Sequence, residues 1–236
     1  LICQYMTEQK HPDEKQNAVL QNHVYMGLAD MHHRLEQPQE AKVIYEKLLN
    51  SRRSSVKQQP DNAVTHRNLA NILYRVAMTQ VNEGDLEEGL EKYREANTIF
   101  LHLAELDPQN DRANQRDVGW SHYFVGQTLH QMERYPEGFE ELSTGFNIIL
   151  THCIEDTNSE NARKELMNYL NQMVEFRLAV KQQKEAIGDC KQALLALQPI
   201  TEQFPENYAL ANLYQEIQLK LKDFQQENTE NQVKVQ

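Results

Sequence analysis

Long apolar runs, strand-like alternation and glycine-rich loops are what this 236-residue sequence lacks. No apolar run approaches the roughly twenty residues that a membrane-spanning helix needs. No stretch alternates β-branched with polar residues, so a strand-based fold is not expected. Glycine (8) and proline (7) are few, and they sit mostly where turns are expected. Cysteine is scarce: Cys3, Cys153 and Cys190 are odd in number, far apart and without a CxxC spacing. That pattern excludes a disulfide framework and reads as three reduced thiols of a cytoplasmic protein.

Positive charge is in deficit. Lys and Arg number 24 against 35 Asp and Glu, a net charge of −11. This argues against nonspecific binding to nucleic acid or to an anionic membrane, and leans toward a basic partner. Catalytic signatures are missing as well: there is no Gly-rich phosphate loop, HExxH, GxSxG or DFG-like element. His32 and His33 are adjacent and diverge on a helix. His122 and His130 share a face two turns apart, too far for i,i+4 ligation of a metal. Glu87-Glu88 and Glu140-Glu141 fall near helix starts, where carboxylates complement the helix dipole on a solvated face. No catalytic residue, metal ligand or cofactor site is assigned, and no cofactor is expected.

What is present is a helical repeat. The stretch Asn114 to Leu142 reads as a helix, a tight turn at Tyr135-Pro136 and a second helix. Val118, His122, Val125, Gly126 and Leu129 recur at helical spacing on the first half, and proline suits the first position of the second. With Gly138 as reference, the equivalent residues are Ala41, Gly89 and Ala186, spaced 48, 49 and 48 residues apart. Four residues on lie Tyr45, Tyr93, Leu142 and Cys190; seven on lie Leu48, Ala96, Gly145 and Ala193. Twelve before lie Ala29, Ala77, Gly126 and Val174; sixteen before lie Tyr25, Leu73, His122 and Leu170. Small residues allow two helices to approach, and the larger apolar ones fill the space between. A proline returns between units at Pro12, Pro60, Pro108 and Pro205. Two helices per unit at a fixed period is a solenoid signature.

This order of residues resembles the tetratricopeptide (TPR) family. In the first unit it runs Tyr25, Leu28-Ala29, Ala41, Tyr45, Leu48 and Pro60, and in the second Leu73, Val76-Ala77, Gly89, Tyr93, Ala96 and Pro108. The third keeps Val125-Gly126 with Gly138; the fourth diverges, with Arg177 where the first helix usually ends apolar. The usual unit is about 34 residues, so these helices are longer by roughly two turns each. Gln115, Arg116, Asp117, Ser121, His122 and Gly126 form a QRD-x-x-x-SH-x-x-x-G pattern similar to the long-helix repeats of bacterial signalling proteins. Such repeats often follow a kinase, an ATPase or a transcription-factor domain.

The resemblance implies an all-α, right-handed α-solenoid over residues 1–227. Its parts are the end of a preceding repeat at 1–11, repeats at 12–59, 60–107, 108–157 and 158–204, and a capping helix at 205–227. A polar tail, 228–236, should fray. Beginning inside a repeat, the chain is read as the C-terminal part of a larger protein. The function implied is a non-catalytic scaffold or regulatory region binding a protein or peptide. The alternatives are the regulatory tail of a bacterial serine/threonine kinase or signalling ATPase, and a small-molecule-sensing regulator.

In this family the first helix of each unit lines the concave surface. The positions facing it are Met26, Gly27 and Asp30; Tyr74, Arg75 and Met78; Trp120, Tyr123, Phe124 and Gln127; and Asn171, Gln172 and Glu175. The partner-binding groove is assigned to Tyr74, Arg75, Met78, Trp120, Tyr123, Phe124, Gln127 and Asn171. Aromatics with an arginine have the composition of an interface hot spot. The clamp that holds the C-terminal carboxylate of heat-shock chaperones is not expected, because no lysine falls at Met26, Asp30, Arg75, Trp120 or Phe124. The repeat register also predicts that Gly138→Leu overpacks the helix pair, while Gly138→Ala is neutral or stabilising where space allows.

Overall fold

A computed structural model describes residues 14–35, 37–106 and 111–234. The helix expected at 1–11, Cys3, Pro12 and Pro108 lie outside the described residues. Within them are nine α-helices and no strand. In order they are α1 Glu14–Arg34, α2 Pro38–Gln58, α3 Ala63–Glu83, α4 Leu86–Leu106, α5 Asp111–Gln131, α6 Tyr135–Glu155, α7 Glu160–Ala179, α8 Gln183–Gln203 and α9 Tyr208–Lys234. The last helix runs on to Lys234, into the 228–236 tail that was expected to fray. The chain divides into two compact units, Leu1–Pro108 and Gln109–Gln236.

In the first unit α1 packs on α2, α2 on α3 and α3 on α4. The boundaries follow from local chemistry. Pro38 opens α2, where its missing N–H costs nothing. Asn62 caps α3, its side chain accepting from the Val64 and Thr65 amides. Gly84 ends α3 at φ 91° and donates to Val81, while Asp85 donates back to Gln80, the glycine-terminated helix end. Ala29, Ala41, Tyr45, Ile72, Leu73, Ala77, Leu90, Tyr93 and Leu103 form the core. Tyr25, expected to fill the helix pair, is 43% exposed; the residues that would precede its helix lie outside the description.

The second unit stacks α5 through α9, each on the next, with further contacts of α5 with α7, α6 with α8 and α7 with α9. Its core runs from Leu142, Phe146 and Ile149 through Leu166, Tyr169, Leu170 and Phe176 to Leu197, Leu210 and Ile217. At the crossing of α5 and α6 two glycines face each other. A Cβ on Gly126 would lie 3.1 Å from the Gly138 carbonyl oxygen and 2.8 Å from Leu142 Cγ. A Cβ on Gly138 would lie 3.1 Å from the Gly126 carbonyl oxygen and 2.9 Å from Phe176 Cζ. Gly138 does face its partner helix, and the space on which tolerance of Gly138→Ala depends is taken by the Phe176 ring and the Gly126 carbonyl oxygen. Phe176 of the following helix occupies the space.

Ser159 caps α7, accepting from the Ala162 amide. Asn207 caps α9 through the Leu210 amide and donates to the Thr157 carbonyl oxygen, tying the two turns together. Leu210, Leu213 and Ile217 of α9 are buried, whereas Tyr208 at the start of the helix is 79% exposed. The Phe224 side chain lies outside the described residues.

Candidate functional site

Two patches carry the residues assigned to partner binding, one in each unit. In the first unit Tyr74, Arg75 and Met78 lie on α3 and all three are partly exposed. Tyr74 leans on the buried Tyr93, ring centroids 5.6 Å apart, and burial raises its phenol pKa despite the Arg75 charge. Arg75 is engaged. Its Nη2 lies 3.3 Å from Asp30 Oδ2, and its guanidinium sits 5.8 Å from the Tyr74 ring centroid. Asp30 Oδ1 also accepts from the Tyr45 hydroxyl at 2.5 Å. Asp30 therefore gathers the charge that a free hot-spot arginine would need.

In the second unit Trp120, Tyr123, Phe124 and Gln127 lie on α5, and Asn171, Gln172 and Glu175 on α7. All are partly exposed except Glu175, which is exposed. Trp120 and Phe124, one turn apart, stack at 5.5 Å with planes 20° apart. Tyr123 meets both edge-on, at 5.5 Å and 5.4 Å. These are favoured aromatic geometries. Tyr123 also reaches inward to the buried Tyr169, 5.1 Å away. A polar chain then crosses from α5 to α7. Gln127 Nε2 donates to the Tyr123 hydroxyl at 3.1 Å and to Gln172 Oε1 at 3.4 Å. Gln172 Nε2 donates to Glu175 Oε2 at 2.7 Å. Burial, and then the Glu175 charge, raise the Tyr123 phenol pKa.

Three residues of the QRD-x-x-x-SH-x-x-x-G pattern, Arg116, His122 and Gly126, tie helices together. Arg116 pairs with Glu165 of α7, its Nε 2.8 Å from Oε1 and its Nη2 on the same oxygen. Glu165 is only 5% exposed, so its charge needs that partner. His122 Nδ1 lies 2.6 Å from Glu141 Oε2 across the α5–α6 pair. This corrects the reading of Glu141 as a carboxylate on a solvated face: it is a partner of His122. Ser121 donates to the Val118 carbonyl oxygen, and Gly126 meets Gly138. A hollow of about 220 Å³ beside the Arg116–Glu165 pair is lined also by His152, Asp156 and Ser159. Only the 49-residue offset of Glu165 from Arg116, one repeat period, hinted at that pairing in the sequence.

Arg177, the divergent residue of the fourth unit, also has a structural partner set. Its guanidinium lies 3.4 Å from the Phe139 ring centroid, and its Nε is 3.3 Å from Asp189 Oδ2. Burial raises the Asp189 pKa, and Arg177 partly offsets that. Among the described residues no group of three or more His, Cys, Asp or Glu is placed to hold a metal ion, and no helix is long and apolar enough to cross a membrane.

The solved structures that resemble this chain are repeat proteins. BtubC (BKLC) from P. vanneervenii matches at 12% identity, over 92% of this chain and 84% of that one, with a TM-score of 0.54. A putative kinesin light chain with nearly identical TPR-like repeats, from Podosopora anserina, matches at 12% identity, over 93% and 99%, with a TM-score of 0.54. The apo form of RapI matches at 11% identity, over 95% and 73%, with a TM-score of 0.56. No protein-family model and no curated protein matches the sequence. At such identities the likeness speaks to the fold alone, and that fold is an all-α, TPR-like helical repeat.

Proposed function

We propose that the chain is a non-catalytic binding module that takes a protein or peptide segment on the first-helix faces of its repeats. The observation that carries this reading is the partly exposed aromatic cluster of Trp120, Tyr123 and Phe124 on α5. Monomeric proteins seldom leave contiguous aromatic surface in water without a use for it. Aromatic residues are also those whose removal costs most at interfaces. Trp120, Gln127 and Asn171 provide the contacts in the second unit, with Tyr123 and Phe124 shaping the surface. Tyr74 and Met78 provide them in the first, where Arg75 is already held by Asp30.

The test is selection of a displayed random-peptide library on the intact chain, followed by binding of the enriched peptides to Trp120→Ala. We expect the substitution to weaken binding by about 1–2 kcal/mol with little change in melting temperature. Enriched peptides that bind wild type and Trp120→Ala equally would overturn the assignment of this surface. Tyr123→Ala is the less clean variant, because its ring also packs on the buried Tyr169.

A further inference from the structure

The molecule twice builds the same three-part arrangement from an aromatic ring, an arginine and a carboxylate. Arg177 lies over the Phe139 ring while bonding to Asp189. Arg75 lies against the Tyr74 ring while pairing with Asp30. Rings and a carboxylate also occur on α5 and α7, there linked through two side-chain amides and not by an arginine. Trp120 and Tyr123 provide the rings, and Phe124 stacked behind Trp120 fixes its plane. Glu175 is the carboxylate, joined to Tyr123 through Gln127 and Gln172. Here no described arginine, lysine or histidine covers either ring or pairs with Glu175. Gln172 occupies Glu175 Oε2, and among the described residues no cation pairs with the carboxylate.

We propose that this face of α5 and α7 seats a cationic side chain, specifically an arginine of a basic peptide or protein segment. The proposal rests on the peptide-binding reading above and names the chemistry of the partner. An arginine suits the site better than a lysine. Its planar guanidinium stacks on an aromatic face while its fork of N–H donors meets a carboxylate. Among the described residues no cation pairs with the exposed Glu175, and the chain as a whole carries a net charge of −11, which draws basic segments toward it.

Trp120 is the only tryptophan of the chain, so selectively excited tryptophan emission reports on this surface and no other. The probes are acetylated, amidated octapeptide mixtures with one fixed residue, either arginine, citrulline, leucine or glutamate, and the remaining positions randomised. Citrulline has the shape of arginine without its charge. We expect the arginine-fixed mixture to shift Trp120 emission at about tenfold lower concentration than the citrulline-fixed one. That preference should shrink with added salt and be largely lost in Glu175→Gln, which changes an exposed side chain and leaves the fold intact. Equal or tighter binding of the citrulline-, leucine- or glutamate-fixed mixtures would overturn the cation seat while leaving peptide binding in place. An arginine preference unchanged in Glu175→Gln would also overturn it. If no mixture perturbs Trp120, both the seat and the peptide-binding reading of this face fall.

Discussion

Glu133 and Lys181 hold positive φ values of 59° and 60° at the turns between α5 and α6 and between α7 and α8. They occupy the repeat position that Gly84 fills at φ 91° in the second repeat. A side chain in this left-handed conformation is strained by roughly 1–2 kcal/mol, and the position after a helix end is where glycine is preferred. Glu133→Gly and Lys181→Gly should therefore each stabilise the protein by about 1 kcal/mol in urea titrations. Gly84→Ala should do the reverse. The two buried thiols make a second residue-scale prediction. Burial pushes Cys153 and Cys190 up to about 11, so at pH 8 both should resist alkylation until the chain unfolds. A raised thiol pKa stabilises the fold only while the unfolded chain keeps its proton. As pH climbs from about 9 toward 11, the unfolded chain ionises first and stability should fall. The check is a series of urea melts across that range, with Cys153→Ala and Cys190→Ala flattening the fall.

Helix pairs in this protein are set by the few positions where backbones nearly touch. At the α5–α6 crossing each missing Cβ is replaced by a carbonyl oxygen 3.1 Å away, and backbone cannot move aside as a flexible side chain can. Gly126→Ala and Gly138→Ala should each cost about 1–3 kcal/mol, Gly138→Leu more, as read from thermal melts. A Gly138→Ala protein as stable as wild type would mean that the crossing is wider than described. Arg177 holds its helix pair differently. Removing it would uncover the Phe139 ring and leave Asp189, whose side chain is 12% exposed, without its counter-charge. Arg177→Ala should cost about 2–3 kcal/mol. Arg177→Lys should recover only part of this, because an ammonium cannot stack and fork at once.

Within each unit, contacts run mostly between neighbouring helices, with fewer between helices two apart, as in repeat proteins whose stability sums over adjacent elements. Local damage should then stay local. In Arg177→Ala, backbone hydrogen exchange should quicken in α6 to α9 and remain at wild-type rates in α1 to α3. Uniform acceleration along the chain would show that the two units unfold together.

Much of this architecture was already legible in the residues, for a physical reason. Helix starts and ends depend on neighbours within one turn: Pro38 at a first position, Pro136 at a second, Gly84 as terminator. The helical period then carries small residues onto the crossing face, and Ala41, Gly89, Gly138 and Ala186 are all buried as their spacing required. Tertiary structure decided what lies a repeat or half a repeat apart. Asp30 claims Arg75, Glu141 meets His122 and Glu165 holds Arg116. Trp120 stays partly in water while Tyr123 bridges to the core. Those outcomes turn on side chains that come together only when helices stack, at separations of about 20 to 50 residues that no local preference encodes.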